Sequence, residues 1–380
     1  MTEAIVVGAG PAGAAAAIAL AGARISVVLL DRDRFPRDKT CGSGLSPNAI
    51  ALADRLGVAG ELRSRAYPVA NVKIVTPGGR TMVLSSNAAA VVLLRRDFDE
   101  LLVRRAQALG ATLRDGVRAT ALVRDGGRVV GVRTAQGEEL RARYVLCADG
   151  SHSIFSVDRR PKQSISTLMG WWEDADFTPG QLEMIFDRDV APLYGWLFPE
   201  TDRRVNIGIC MQGQESDGRK AVRNVRHVFD RFLAVHYSGR LRSARQIGRL
   251  QGHPIVYTRW VDGCSVPGAI YVGESARLTN TATGEGIAQA MHSGVLGAEA
   301  VADVLTRGRT EVSAMRRYLW RLRRRFAMET AVAGAVRAAV SSGLLEGVAA
   351  AYAHPAVRRA VVRVFGSALA GSSLQASAEL

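Results

Sequence analysis

Lysine is nearly missing from this chain. Only Lys39, Lys73, Lys162 and Lys220 carry ammonium groups among its 50 cationic residues, so the formal charge of +15 is an arginine charge, scattered among acids. Such a skew fits the coding bias of a GC-rich genome. No basic run is interleaved with aromatics in the manner of a strand-binding surface, which argues against nucleic acid as a partner. Cysteine is scarce as well. Cys41, Cys147, Cys210 and Cys264 stand far apart, with no paired spacing for zinc or for a disulfide framework, so no metal is expected and a reducing cytoplasm is. No stretch reaches the length and apolarity of a membrane span. The first glycine turn begins almost at Met1, so no signal peptide is expected. Peripheral contact of the basic surface with a membrane stays open. Repeats and low-complexity tracts are absent too.

The 380 residues are 48% apolar, enough for a sizeable core in one large or two modest domains. The most informative segment comes first. Residues 4–7 form an apolar strand that runs into Gly8-Ala9-Gly10-Pro11-Ala12-Gly13 and then an alanine-rich helix; a second apolar run, 25–30, ends at Asp31. This is the strand, turn, helix, strand and acid of a dinucleotide-binding unit. Gly8 allows the tight turn, Gly10 lets a pyrophosphate approach, and Gly13 lets the helix pack on the strand. The helix start offers amide donors and partial positive charge to phosphates. Asp31 is placed to accept hydrogen bonds from both ribose hydroxyls and would repel a 2′-phosphate.

Residues 36–47 are too rich in turn formers for regular structure and read as a loop shaped to approach something. Residues 71–76 and 80–85 read as a hairpin around Pro77-Gly78-Gly79, outside the cofactor unit. A helix spans 94–109, two β-runs cover 116–124 and 128–134, and the strand 143–147 ends in Asp149-Gly150-Ser151. Residues 164–210 are strand-like and aromatic-rich. A buried strand then ends at Gly273-Glu274-Ser275, and Thr283-Gly284-Glu285-Gly286-Ile287 opens a helix running through Val301. Beyond Thr310 the chain reads as helical to about residue 368, with a frayed tail of ten residues. Twelve arginines face five acids after Val301. Arginines beside Met315, Leu319, Trp320 and Leu322 suit either an interfacial helix or a plain solvated face.

Together these blocks resemble the flavoprotein group that includes p-hydroxybenzoate hydroxylase and, within it, the geranylgeranyl reductase family; the resemblance covers residue 1 to about 301. Gly8, Gly10, Gly13 and Asp31 match the FAD fingerprint. Arg95 with Phe98-Asp99 resembles an Arg-x-x-Phe-Asp element whose arginine lies along the cofactor, Asp149-Gly150 the group's Asp-Gly motif, and Gly273-Glu274 its Gly-Asp element, here with Glu for Asp. Lys39-Thr40-Cys41-Gly42-Ser43-Gly44-Leu45 is similar to the reductase family's Lys-x-Cys-Gly-Gly-Gly-Leu loop, with Ser43 replacing a glycine. Tyr194-Gly195-Trp196-Leu197-Phe198-Pro199 is similar to its Tyr-x-Trp-x-Phe-Pro signature.

The resemblance implies an α/β fold. A doubly wound FAD-binding domain (1–65, 93–160 and 262–310) would be interleaved with a β-rich substrate domain (66–92 and 161–261), followed by a C-terminal helical region (311–380). It implies an FAD-dependent oxidoreductase that transfers hydride from reduced flavin to a double bond of a hydrophobic, isoprenoid-like substrate. The electron donor would be external, NAD(P)H or a reduced carrier. The cofactor residues implied are Gly8, Gly10, Pro11, Ala12, Gly13, Asp31, Arg32, Cys41, Gly42, Ser43, Arg95, Asp149, Gly150, Gly273, Glu274, Gly284, Gly286 and Ile287. Cys41, Tyr194 and Trp196 are the residues placed at the reaction. Cys41 reads equally as a proton donor, a polarisable contact or a small hydrophobe. His253 is a further candidate, while a lone histidine is more often a structural hydrogen bonder. The rival reading is a flavin-dependent monooxygenase, a hydroxylase before a halogenase, or a dehydrogenase tailoring a natural product. Halogenases of this group carry Trp-x-Trp-x-Ile-Pro and a working lysine; here Tyr194 replaces the first Trp, and Lys73 is the lysine expected nearest.

Overall fold

Apolar residues run almost without alternation through Ala4–Val7, Val27–Leu30 and Tyr144–Cys147, and parallel strands of that kind are stable only with both faces covered. The computed structural model, which describes residues 2–156, 163–213, 224–258 and 261–370, places them at the centre of a six-stranded sheet. Its order is Ser265–Val266, Ala269–Tyr271, Tyr144–Cys147, Ala4–Val7, Val27–Leu30 and Thr112–Arg114, parallel except at the Ser265 edge. Ile5 sits between Val28 and Val145 across the ladder. The alanine-rich helix Pro11–Gly22 packs between Arg95–Ala108 and Ile287–Leu305. Its small side chains let these helices approach closely: a Cβ on Gly294 would stand 2.1 Å from the Ala12 carbonyl oxygen.

A nine-stranded, mostly antiparallel sheet forms the second layer. Its order is Arg245–Gly252, Gln163–Glu173, Arg204–Gln212, Gly195–Pro199, Gln181–Ile185, Tyr67–Val75, Thr81–Val92 and Gly44–Leu45, with Ile255–Tyr257 also paired to Gln163–Glu173. Strand alternation splits its side chains between two cores. Val205, Ile207 and Ile209 face the helix Val225–His236 with Phe229 and Phe232. Met169, Met184, Tyr194 and Trp196 face the other way. A separate three-stranded sheet holds Ala119–Asp125, Arg128–Thr134 and Glu139–Arg141.

Two expectations change. The loop read over 36–47 contains a short strand, because Gly44 and Leu45 pair with Val92 and Val91 and Leu45 is buried. Residues 44–45, expected in the cofactor unit, are therefore part of the nine-stranded sheet. The tail expected to be frayed lies outside the described residues.

The C-terminal helices Glu311–Ser341, Leu344–Ala350 and Pro355–Ala370 tie the two layers together. The Tyr318 hydroxyl donates to the Tyr271 carbonyl at 2.8 Å in the first sheet, and the Tyr352 hydroxyl to Val83 at 2.8 Å in the second. Arg337 donates to the Thr281 carbonyl at 3.0 Å and to Gln212 Oε1 at 2.7 Å. No single helix among the described residues is long and apolar enough to cross a membrane. Glu311–Ser341 and Leu344–Ala350 together meet the length and composition but bend by 83° at their break, and Val340 and Leu345 are buried against the second sheet. Tyr318→Phe leaves the buried Tyr271 carbonyl without this donor, and urea unfolding should show a loss of about 1–2 kcal/mol at unchanged slope.

Candidate active site

Between the two sheets lies a cavity of about 450 Å³. Its polar side starts at the glycine turn. Gly8 adopts φ +98°, and a Cβ there would meet the Ala148 carbonyl oxygen at 2.3 Å. A Cβ on Gly13 would fall 1.8 Å from the Gly8 oxygen, so Gly13 shapes the turn from behind and does not line the cavity. Gly10 is the N-cap of the first helix and offers no capping side chain, which leaves the helix-start amides directed at the cavity beside Pro11 and Ala12.

Asp31 has a different first task from the one expected of it. Its Oδ2 accepts from the Ala9 N–H at 2.8 Å and its Oδ1 from the Asp33 N–H at 3.0 Å, so the carboxylate first fixes the turn itself. Its Oδ2 also accepts from Arg37 at 3.4 Å, and the residue lines the cavity. Two arginines straddle Gly10: Arg95 and Arg37 would stand 3.7 and 3.8 Å from a Cβ on it. Asp99, wholly buried, holds both. It takes Arg95 in a two-pronged pair at 2.7 and 2.8 Å and Arg37 at 3.0 Å. Burial alone would lower the Arg95 pKa, but the Asp99 carboxylate outweighs it and holds the guanidinium charged. An anion over Gly10 therefore meets two fixed cations as well as the helix start.

Further along, Asp149 Oδ1 accepts from Ser275 Oγ at 2.9 Å and Oδ2 from the Ile154 N–H at 3.2 Å, while Ser275 Oγ also accepts from the Gly150 N–H at 3.1 Å. Glu274 lines the cavity with its pKa raised by burial against the pull of Lys39. Gly273 sits behind the wall, its φ +64° placing it against Ala12. Arg32 lines the cavity and pairs with Asp33 at 3.4 Å.

Lys39, and not Lys73, is the lysine at this cavity. Lys73 pairs with Glu183 at 3.9 Å, Glu183 being buried in the substrate-side sheet. Lys39 Nζ lies 3.0 Å from His253 Nε2, which Ser151 Oγ also approaches at 2.8 Å, and His152 stands edge-on to the His253 ring. Burial, then the Lys39 charge, pulls His253 down to about 4, so the neutral ring accepts from the ammonium.

The opposite side is apolar, and strand alternation explains it. Thr167 and Met169, Leu182 and Met184, and Tyr194, Trp196 and Phe198 are i, i+2 series that point inward from neighbouring strands. The polar tips are already satisfied within the protein. The Tyr194 hydroxyl donates to the Thr283 carbonyl, and the Trp196 indole N–H donates to Asn206 Oδ1 at 2.7 Å. Burial raises the Tyr194 pKa far above the usual phenol range, so this hydroxyl is a fixed donor and not a proton source. At the seam between the two sides, Cys41 is half-buried and its Sγ accepts from the Ser43 N–H at 3.3 Å. Ser43 holds φ +62°, the left-handed region that favours glycine. Gly284, Glu285, Gly286 and Ile287 close the cavity at the start of the helix Ile287–Leu305.

Of the residues read from the sequence, all but Gly13 and Gly273 line this one cavity. Lys39, Arg37, Asp99, Glu285, Met169 and Met184 were missed as site residues. The Lys-x-Cys loop itself held the signal for Lys39, and Asp99 stood in the quoted Phe-Asp pair.

A family model described as an FAD binding domain matches residues 1–319. A menaquinone reductase of Mycobacterium tuberculosis is 30% identical over 322 residues, covering 78% of this chain and 76% of that protein. A digeranylgeranylglycerophospholipid reductase of Methanoculleus marisnigri is 28% identical over 334 residues, 83% of this chain and 80% of that protein. The chain belongs to the geranylgeranyl reductase family. It is an FAD-dependent oxidoreductase. A geranylgeranyl bacteriochlorophyll reductase-like structure from Thermoplasma acidophilum shares the fold, with a TM-score of 0.79 at 22% identity over 95% of this chain and 98% of that one.

The cavity of this flavoprotein fits its cofactor on its own geometry: a turn that admits no Cβ at Gly8 or Gly13, two arginines beside Gly10, and a buried Thr279 Oγ1 at the cavity wall without a partner among the described residues. Glu285 adds a titrating group. Burial pushes it up to about 7, against the opposing pull of the Ser46 hydroxyl that donates to it. A carboxyl raised from its ordinary 4.5 favours the fold at low pH and loses that contribution as pH climbs to its folded value. Urea unfolding of the apoprotein should therefore show Glu285→Gln gaining on the parent from about pH 4.5 to about 7 and levelling off above.

Proposed function

We propose that this enzyme reduces carbon-carbon double bonds of an isoprenoid-type lipid, held in the apolar half of the cavity against FAD lying along the polar half. The observation that carries the reading is the aromatic and thioether wall of Met169, Met184, Tyr194, Trp196 and Phe198, which faces the Gly8 to Gly13 turn across one cavity. The six-stranded unit holds the cofactor and the nine-stranded unit the substrate. Gly10, Arg37 and Arg95 would hold the pyrophosphate, Asp31 the ribose, and Cys41, Gly42, Gly284 and Gly286 the ring end. The names of the two relatives, a digeranylgeranylglycerophospholipid reductase and a menaquinone reductase, support a large apolar substrate.

Bound FAD, when reduced by an external donor, supplies the hydride. This chain supplies the rest. Tyr194, Trp196 and Phe198 present ring faces to an apolar chain while the tips of Tyr194 and Trp196 stay bonded inside the protein. Met169 and Met184 adapt to an extended, kinked polyene. Contact with these walls orients the double bond and excludes water, the main demand of a hydride transfer. The Gly284 N–H donates to the Asn280 carbonyl at 2.9 Å, so negative charge here is stabilised by the Gly286 amide and the following helix start.

The purified protein should be yellow. After dithionite reduction, anaerobic addition of a polyprenyl lipid should restore the oxidised spectrum and give a product heavier by two hydrogens. A requirement for oxygen, with oxygen in the product, overturns the reading. Met184→Trp, which fills the apolar side, should slow this reoxidation by at least ~10-fold while leaving reduction by dithionite unchanged.

A further inference from the structure

The helix Glu311–Ser341 buries Ala314, Tyr318, Leu322 and Phe326 against the core. Leu322 and the core-packed Met315 are thereby removed from any outer surface. What remains outside is a mixed face of arginines and large apolar side chains. Trp320 is 58% exposed, Met328 57% and Val312 62%, while the Arg324 guanidinium lies 5.5 Å over the Trp320 ring. Arg321, Arg323 and Arg325 have the carboxylates Glu299, Asp262 and Glu329, but Arg316, Arg317 and Arg324 have no carboxylate partner among the described residues. Arg317, Arg321, Arg324 and Met328 follow the i, i+4, i+7, i+11 spacing of one helical flank, next to Trp320.

That flank borders a second cavity, of about 370 Å³, which shares no lining residue with the flavin site. Ile18, Leu52, Leu109 and Leu296 form apolar walls between four helices. Arg55, Arg105 and Arg321 line it too; its carboxylate, Glu299, is already paired with Arg321. An apolar slot bordered by cations and opening beside an exposed Trp-Arg-Met flank matches one chemistry, an acyl chain below a phosphate.

We infer that this flank docks the enzyme on an anionic bilayer, with Trp320 and Met328 in the headgroup boundary, the unpaired arginines on lipid phosphates, and an acyl chain in the adjoining slot. The charge sign and the aromatic-basic pairing are those of an interfacial helix. The inference rests on the proposed function only in that a lipid substrate would be reached from the membrane. The face itself is read from the helix alone.

The test is co-sedimentation of FAD-loaded protein with vesicles of phosphatidylcholine, with and without phosphatidylglycerol, followed by turnover of detergent-dispersed substrate. The holoprotein should pellet with the anionic vesicles and not with the neutral ones. Arg317→Glu combined with Arg324→Glu should lower the bound fraction by at least about tenfold, since each basic residue near such a surface contributes ~1 kcal/mol. Flavin content and detergent-phase turnover should not change. Trp320→Ala should weaken binding with the same flavin content. Binding that ignores lipid charge, or survives both reversals, overturns the inference. So does lipid-free self-association that the reversals abolish in light scattering, which would assign the face to a second copy. Failure of the unmodified holoprotein to pellet with the anionic vesicles, with detergent-phase turnover intact, refutes docking alone; vesicle binding without alkene reduction refutes the proposed function alone.

Discussion

Gly42 and Gly44 lie flat on the Phe198 ring, and the rest of the site depends on that contact. A Cβ on either would stand 3.1–3.2 Å from the ring, and Gly42 is equally close to the Trp196 indole nitrogen. The loop that carries Cys41 thus leaves the cofactor unit, presses on the aromatic strand of the other sheet, and is pinned there when Gly44 and Leu45 pair with Val92 and Val91. One packing contact sets how far the polar half stands from the apolar half. A bulkier residue at either glycine would move the loop or the wall, and close-packed interiors transmit such shifts.

The polar half is stabilised by charge balance and not by charge removal. Arg37 and Arg95 are nearly inaccessible, yet each has Asp99 within 3.0 Å, and Lys39 faces Glu274 and a neutral His253. Breaking the Asp99 pair would leave the Arg95 guanidinium without its carboxylate and Arg37 with Asp31 at 3.4 Å, a loss of about 3–5 kcal/mol in comparable buried pairs. The C-terminal helices hold this arrangement against the second sheet through Tyr318, Arg337 and Tyr352, so the helical region is a clamp on both layers.

The fold was legible where its causes are local. An unbroken apolar tetrad, a glycine turn and an acid at fixed spacing predict strand, turn, helix and strand from short-range sterics, and the aromatic i, i+2 series at 194, 196 and 198 predicts one inward face. What escaped depends on tertiary neighbours. Lys39 meets His253 across 214 residues, and nothing local distinguishes a cavity lysine from a solvated one. The strand Gly44–Leu45 exists only because a partner edge is present, so turn-forming composition hid it. Asp31 was assigned to a ribose because spacing shows the acid but not the Ala9 N–H that claims it first. The positive φ of Ser43 explains in backbone terms why glycine stands there in the similar family loop.

The central claim is that the two halves of the cavity have separate tasks, cofactor retention on the arginine side and substrate contact on the aromatic side. FAD titration of the apoproteins of Arg95→Met and Met184→Ala, followed by flavin fluorescence, tests it directly. Arg95→Met should weaken FAD binding by at least ~10-fold, as loss of one fixed charge-assisted contact does. Met184→Ala should leave it within about twofold. Equal loss of flavin in both variants would contradict the account.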